Sequence, residues 1–228
     1  MSKILISGCG LSWSHQERPT WVNVLRICGA DITDLAGPAI SNTLILNQLI
    51  SELHVNDYGY VICQLTAHGK LDVEINESNH YVMQKDSVRN FDYNGYWPSG
   101  TSTEHESKRL FYKYLYSPQI EQQDTILKLL HLQKVCEATG TELYVMQGYR
   151  MNWTNNLIDK VNMDKDFVLY EHYKAHKLYA HHDFTNNNTV PNKLYQIEIA
   201  RHINDNFLRW DGMQSLSLIH ISEPTRPY

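Results

Sequence analysis

The first 65 residues alternate short apolar runs with helical patterns, and this alternation constrains the fold more than any other feature of the chain. Three β-branched and aliphatic runs, at residues 3–7, 31–36 and 60–65, predict strands. Between them, residues 20–28 and 41–53 place apolar side chains at helical spacing. Strand, helix, strand, helix and strand in this order indicate right-handed βαβ units, and therefore a parallel sheet.

A long helix is predicted over residues 119–139. It begins after Ser117-Pro118 and ends at Gly140, because proline suits a first helical turn and glycine suits a carboxyl-terminal cap. We expect this helix to pack on the sheet through one apolar side. The predicted members of that side are Ile126, Leu127, Leu130 and Val135.

The carboxyl-terminal half adds one more strand and one more helix. Residues 142–146 predict a fourth strand, whereas the polar and histidine-rich residues 149–188 predict loops and short helices. Residues 192–210 predict an amphipathic helix. Its apolar face consists of Ile197, Ala200, Ile203 and Phe207.

Two segments stand outside this periodic pattern. Residues 76–116 are rich in Asn, Ser, Tyr and Gly, and a loop of this length inside a domain is typical of a lid or a binding insertion. Its aromatic side chains, including Trp97, argue against disorder. Residues 216–228 resemble the translation of a sequencing adapter, so a single domain is predicted over residues 1–215.

Composition excludes several classes of protein. Twenty basic against 25 acidic residues, with no basic stripe, argue against nucleic acid as a partner. No apolar run approaches the roughly 20 residues that cross a bilayer, and the first residues lack a signal-peptide core. We therefore expect a soluble protein made in a cytoplasm and no membrane partner. The four cysteines share no metal spacing and are predicted to be free thiols: Cys9, Cys28, Cys63 and Cys136.

Four sequence blocks occur in a telling order. Gly-Cys-Gly-Leu-Ser-Trp at residues 8–13 follows the first strand, and Leu-Ala-Gly-Pro-Ala-Ile-Ser-Asn at residues 35–42 opens the second helix. Residues 61–66 end the third strand, and Val190-Pro191-Asn192 precedes the last helix. Together they resemble the SGNH (GDSL-type) hydrolases in their Gly-Cys-Ser-Phe-Thr variant, over the chain essentially to Leu208.

The resemblance implies a three-layer, flavodoxin-like α/β fold with a parallel sheet and helices on both faces. It also implies a site at the carboxyl ends of the strands, where open α/β sheets bind their ligands. In these hydrolases a serine after the first strand attacks an ester carbonyl, a histidine takes its proton and an aspartate orients the histidine. Gly and Asn groups bind the oxyanion.

The chain departs from that pattern where the chemistry would occur. The nucleophile position holds Gly10, and the aspartate and histidine positions hold Asn187 and Val190. A second match to the last block, Trp210 to Gln214, follows the final helix and is interpreted as chance. We therefore predict an SGNH-like protein that lacks the triad and keeps its cleft for a glycan or another polar small molecule. The predicted binding residues are Gly10, Ser41, Asn42, Gln64, Thr66 and Trp97.

An alternative is an active esterase or deacetylase with a displaced nucleophile. Cys9 or Ser12 would attack, and His68 just beyond the third strand would act as the base. Each residue also has a structural interpretation. Cys9 is a small buried hydrophobe, Ser12 caps the following turn, and His68 is a loop histidine bonded to backbone.

A metal site and a phage role complete the alternatives. Glu171, His172, His176 and the run 181–183 gather potential zinc ligands, but they lack a His-Glu-x-x-His pattern, and no metal or cofactor is predicted. The opening block together with Arg-Pro-Thr-Trp at residues 18–21 resembles uncharacterised proteins of marine bacteriophages. That resemblance implies a structural or interaction protein, in the host cytoplasm or on the virion.

Overall fold

The structure is a computed structural model that places the backbone of most of the chain. The residues that it describes are 2–13, 20–37, 40–69, 114, 116–171 and 193–210. Trp97, nearly all of the predicted insertion, Asn187, Val190, the histidines of the zinc hypothesis and the tail beyond Trp210 lie outside these residues. The predicted domain limits therefore stay a prediction.

Within the described residues, five strands form one sheet, and every neighbouring pair among them is parallel. The order across the sheet is β2-β1-β3-β4-β5, so the chain adds strands on one side of β1 and then on the other. This is the doubly wound order of flavodoxin-like folds, and it confirms the predicted fold class. The strands are β1 (Ile4–Gly8), β2 (Ile32–Asp34), β3 (Tyr60–Leu65), β4 (Glu142–Gln147) and β5 (Asp164–Val168).

The helices begin and end at residues with clear capping roles. The Ser41 hydroxyl accepts the Leu44 N–H at the start of the second helix. Ser117 caps the third helix, and Gly140 ends it with a φ of 68°, in the left-handed region that favours glycine. The helices are α1 (Trp21–Ile27), α2 (Asn42–Leu53), α3 (Pro118–Thr139) and α4 (Lys193–Ile203), with a 3₁₀ helix at Asn156–Lys160 and a π-helical turn at Asn204–Leu208.

In the part of the chain that the structure describes, side chains that alternate along the strands build two hydrophobic cores. One core lies between the sheet and helices α1 and α4, and the other lies between the sheet and helices α2 and α3. Strands that are apolar on both faces are typical of parallel sheets covered on both sides. The strand residues of the first core include Ile4, Ile6, Ile62 and Met146, and those of the second include Leu5, Val61, Cys63 and Val145.

The structure corrects two predictions. The segment 149–188 contains a fifth strand, β5, where loops and short helices were predicted; the polar residues at its start hid it. The predicted buried side of α3 was wrong at Leu127, which is 52% exposed, whereas Leu130 and Val135 are partly buried and pack against the second core. Ile126 alone of the predicted set is fully buried. The side that packs inward consists of Gln122, Thr125, Ile126, Leu129, Leu132 and Cys136.

Among the described helices, none combines the length and the apolar composition that a bilayer span requires. Even the 22-residue α3 carries charged side chains along its outer surface, including Asp124 and Lys128.

Candidate functional site

The switch point of the sheet lies between β1 and β3, where the strand order reverses. Gly8 at the end of β1 pairs in register with Gln64 near the end of β3. Parallel α/β sheets bind ligands in the crevice beyond such a point, because the connections leave in opposite directions there. The first and third blocks of the sequence thus meet at this edge, which we call the carboxyl edge.

Gln64 is the centre of the hydrogen bonding at the carboxyl edge. Its side chain is fully buried, and its Oε1 accepts the Cys9 backbone N–H at 3.1 Å and the Ser12 hydroxyl at 3.0 Å. Its Nε2 donates to the Leu65 carbonyl at 2.6 Å and lies 3.4 Å from Cys9 Sγ. Both ends of the carboxamide are therefore bonded within the protein.

Two glycines make room for this carboxamide. A Cβ on Gly8 would lie 2.7 Å from Gln64 Oε1, and a Cβ on Gly148 would lie 2.0 Å from Gln64 Nε2 and 2.6 Å from the Leu65 carbonyl oxygen. Real Cβ atoms do not approach other atoms this closely. The amide is thus enclosed between the ends of β1 and β4, and glycine is required at Gly148 by contact with backbone.

Ser12 and Cys9 are both buried beside this amide. The Ser12 side chain has no exposed surface. Its structural interpretation was a cap of the following turn, but its hydroxyl donates to Gln64 instead. Cys9 is 1% exposed. A carboxamide oxygen accepts a hydrogen bond but is too weakly basic to remove a proton from serine, which nucleophilic catalysis requires.

Gly10, at the nucleophile position of the resemblance, is exposed. A Cβ added there would meet nothing within 4 Å. The position therefore has space for a side chain but provides no reactive group.

Asn42 and Thr66 bond to each other. Asn42 Nδ2 donates to the Thr66 carbonyl at 3.1 Å, and the Thr66 N–H donates to Asn42 Oδ1 at 2.7 Å. Asn42 is 1% exposed and Thr66 is fully buried. This clamp ties the start of α2 to the end of β3, so the amide of Asn42 supports the edge instead of facing a ligand, and Ser41 is used as the cap of α2.

His68 lies beyond this clamp, against α3 and the loop after β4. Its side chain is 15% exposed, and its ring meets the Trp153 ring edge-on at 4.9 Å. Neither ring nitrogen has a hydrogen-bond partner among the described residues, so the predicted bond to backbone is absent there. Burial lowers the pKa of His68 from its ordinary 6.5 to about 4, so the ring is neutral at physiological pH.

Glu121 faces His68 from the first turn of α3, and the sequence analysis missed it. Its two carboxylate oxygens accept the Gly69 N–H at 2.9 and 2.7 Å, and Oε2 also accepts the Tyr116 hydroxyl at 2.5 Å. Burial raises the pKa of Glu121, while these hydrogen bonds act against that rise. The available signal was an acidic residue in the first turn after Ser117-Pro118, a position that the helix dipole favours.

The lowered pKa of His68 should make the stability of the protein depend on pH. Between pH 6.5 and about 4 the unfolded chain binds a proton at His68 that the folded chain does not, so this residue should make the protein less stable as the pH falls through that window. The raised pKa of Glu121 has the opposite effect on stability: above pH 4.5 the folded chain holds a proton at Glu121 more readily than the unfolded chain, so this residue makes the protein more stable as the pH falls. The effect of Glu121 is present in a His68→Gln variant as well. Urea unfolding at several pH values should show a smaller loss of stability on acidification in His68→Gln than in the parent.

His131 provides the control for that experiment, because it is exposed on α3. His131→Gln removes a histidine from the surface of the same helix and shows the effect of losing an exposed imidazole. Identical pH profiles for the parent and His68→Gln would contradict the neutral, buried state of His68.

Among the described residues, no group of three or more His, Cys, Asp and Glu side chains is arranged to hold a metal ion. The zinc hypothesis involved residues outside this part of the chain apart from Glu171, which forms a bidentate ion pair with Arg150 at 2.5 and 2.6 Å.

Among known proteins, this chain resembles solved structures. No family model matches the chain, and no curated protein does. Ten chains of solved structures match it, among them the crystal structure of the psychrotrophic esterase EstA from Pseudoalteromonas sp., inhibited by monoethylphosphonate. The match covers 91% of this chain and 97% of that chain, at 15% sequence identity and a TM-score of 0.48. A likeness at this level does not extend to activity or substrate.

The architecture follows from the sheet itself. The protein has a three-layer α/β fold. Its strand order, parallel pairing and two cores establish this independently of any relative.

Proposed function

We propose that this chain is an SGNH-like protein without ester hydrolase activity, which uses the carboxyl edge to bind a polar ligand such as a glycan. The observation that carries the proposal is the hydrogen bond from the Ser12 hydroxyl to the buried amide of Gln64. Ser12 is two residues after the nucleophile position, and its hydroxyl donates to an amide oxygen that cannot take its proton.

The other groups at the edge support the same conclusion. Gly10 carries no side chain where the resemblance expects the nucleophile, and Cys9 is buried. Removing triad members lowers catalytic rates by about 10⁴ to 10⁶. Catalysis by a neighbouring residue would therefore need an accessible hydroxyl or thiol beside a base, and neither Ser12 nor Cys9 is accessible.

The binding part of the proposal rests on the rim of the same edge. His68 and Trp153 provide ring surfaces there, and Glu121 provides carboxylate oxygens. Aromatic rings with a few polar groups are the usual components of a small-ligand site. Trp97 belongs to this proposal from its sequence position alone.

The absence of hydrolysis gives a direct test. Purified protein is assayed with p-nitrophenyl acetate and with acetylated sugars, beside Cys9→Ala and Ser12→Ala variants. The parent should release product no faster than buffer, and neither variant should change that result. Turnover by the parent that disappears in either variant would contradict the proposal and favour the displaced-nucleophile esterase.

Ligand binding is tested separately on a glycan array. We expect the parent to retain at least one class of glycan and a Trp97→Ala variant to retain less of it. Failure of the parent to bind any glycan would count against the binding part of the proposal while leaving the hydrolysis result intact.

The phage role remains part of the same proposal and rests on the opening motif. A bound glycan would suit a particle component or a host-modifying protein equally. Detection of this chain by mass spectrometry in purified particles would favour the first role, and its presence in infected cells alone would favour the second.

A further inference from the structure

Three buried ring nitrogens lie together at the rim of the carboxyl edge. They are Nδ1 and Nε2 of His68 and Nε1 of Trp153, and in the part of the chain that the structure describes none of them has a hydrogen-bond partner. The two rings are in edge contact, with centroids 4.9 Å apart and planes at 88°. Each buried polar group left unpaired costs about 1–3 kcal/mol, so three in one place call for a physical reason.

The carboxylate of Glu121 faces one of these nitrogens, Nδ1 of His68. Its Oε1 lies 3.9 Å from His68 Nδ1, which is too far for a direct hydrogen bond. A single oxygen atom about 2.8 Å from both groups would bridge that gap. A hydroxyl group fits this position, because it can donate to the carboxylate and accept from the ring N–H.

The carboxylate is held in place for such a contact. Gly69 binds both oxygens through its backbone N–H, and Tyr116 binds Oε2, so the contacts with these two residues are concentrated on Oε2. Oε1 accepts only from Gly69 among the hydrogen bonds described, and it retains a lone pair on the side of His68. The geometry therefore presents a fixed acceptor beside a ring with one donor and one acceptor.

We propose that His68, Glu121 and Trp153 form a subsite for a neutral, hydroxyl-bearing ligand of the sugar or polyol class, an inference that rests on the proposed binding function. One ligand hydroxyl bridges Glu121 Oε1 and His68 Nδ1. The second nitrogen of His68 accepts a neighbouring hydroxyl, and the Trp153 N–H donates to a ligand oxygen.

Charge selects the ligand class. Burial keeps His68 neutral, so neither His68 nor Glu121 supplies a positive charge at physiological pH. An anion such as phosphate or a carboxylate would meet the Glu121 side chain without a compensating cation among these three residues. Neutral hydroxyls match the donors and acceptors and carry no such penalty.

Entry requires His68 to rotate, because its nitrogens are covered in this structure. The segment that carries it is fixed on both sides: Thr66 is clamped to Asn42, and Gly69 is bound to Glu121. The side chain of His68 therefore turns between two anchors without displacing the sheet. Pairing the three nitrogens with ligand hydroxyls offsets the free energy needed for that rotation.

The proposed subsite is tested by NMR, through the chemical shifts of the ring nitrogens of His68 and Trp153. Protein labelled with ¹⁵N is titrated with myo-inositol and with methyl β-D-glucoside, and in parallel with sodium phosphate and sodium acetate. We expect saturable shifts of the Trp153 indole N–H and the His68 ring nitrogens with the neutral compounds and none with the two anions.

Variants assign the effect to the subsite. Trp153→Phe keeps a ring and removes the N–H, Glu121→Gln removes the charge, and His68→Phe removes both ring nitrogens. Each should raise Kd about tenfold or more, the effect of losing roughly 1.4 kcal/mol of hydrogen bonding. The exposed His131 gives the matched control, because His131→Phe should bind as the parent does.

Each outcome separates this inference from the proposed function. Binding of the neutral compounds that is unchanged in Trp153→Phe and His68→Phe would overturn the subsite and leave a glycan-binding edge elsewhere. Shifts of the same nuclei by phosphate or acetate would overturn the ligand class. No response to the neutral compounds overturns the subsite; if the glycan array is also blank, the proposed binding function fails with it. Should His68→Phe fail to fold, Trp153→Phe decides.

Discussion

Replacing Gln64 with leucine should lower the free energy of unfolding by roughly 2–5 kcal/mol, because two buried donors lose their acceptor. The side chain of leucine fills much of the same volume, but it leaves the Cys9 N–H and the Ser12 hydroxyl unpaired in a region without access to water. Urea unfolding followed by circular dichroism measures this change. The midpoint should fall while the slope with denaturant stays the same.

Gln123 is the matched control for this substitution. It is exposed on α3, and Gln123→Leu should change the stability by no more than about 0.5 kcal/mol. Equal stabilities for Gln64→Leu and the parent would show that the amide does not organise the loop after β1, and the argument against Ser12 as a nucleophile would lose its basis.

Gly148→Ala should be the most disruptive single-methyl change at the carboxyl edge. The added Cβ would lie 2.0 Å from Gln64 Nε2 and 2.6 Å from the Leu65 carbonyl oxygen, and the second of these atoms is backbone of β3. The end of β4 must then move away from β3. We expect a loss of about 3 kcal/mol or a failure to fold, at the upper end of the range for overpacking. Thermal and urea unfolding measure it.

Gly10→Ala is the matched control, because it adds the same methyl group at a glycine with open space around it. A Cβ at Gly10 has no neighbour within 4 Å, so this variant should keep the stability of the parent to within about 0.5 kcal/mol. A Gly148→Ala protein as stable as Gly10→Ala would mean that β3 and β4 do not approach each other as closely as described.

Much of the fold could be predicted because its local signals agree. The runs at β1 and β3 are mainly apolar and are buried along nearly their whole length, which is the pattern of strands covered on both faces. β5 was missed because its first residues are Asp164, Lys165 and Asp166, and an edge strand with charged residues lacks a periodic apolar signal. Its inner residues, Phe167 and Val168, were too few to reveal it.

The buried side of α3 could not be predicted from its apolar residues. Gln122 faces inward because its amide binds the loop after β4: Nε2 donates to the Asn152 carbonyl, and Oε1 accepts from Thr154. Leu127, in contrast, is exposed. A polar side chain is buried here because a distant loop satisfies it, and that partner is unknown until the chain folds.

The residues of the carboxyl edge could be selected from the sequence, but their roles could not. Gln64, Asn42 and Thr66 occupy the positions that the resemblance indicated. Their hydrogen bonds join residues that are 24 to 55 positions apart in the chain, so the sequence does not show which residues are the partners. Glu121 depends on the same long-range information, since Gly69 is 52 residues away from it.

The bond between Gly69 and Glu121 also has an evolutionary consequence. It joins the two ends of the chain segment that leads from β3 to α3. Because the entropy of closing a loop grows only slowly with its length, by about 0.6 kcal/mol per doubling, this segment can be lengthened, shortened or exchanged at little expense to the sheet. The length and composition of this segment can therefore change in evolution with little effect on the stability of the sheet.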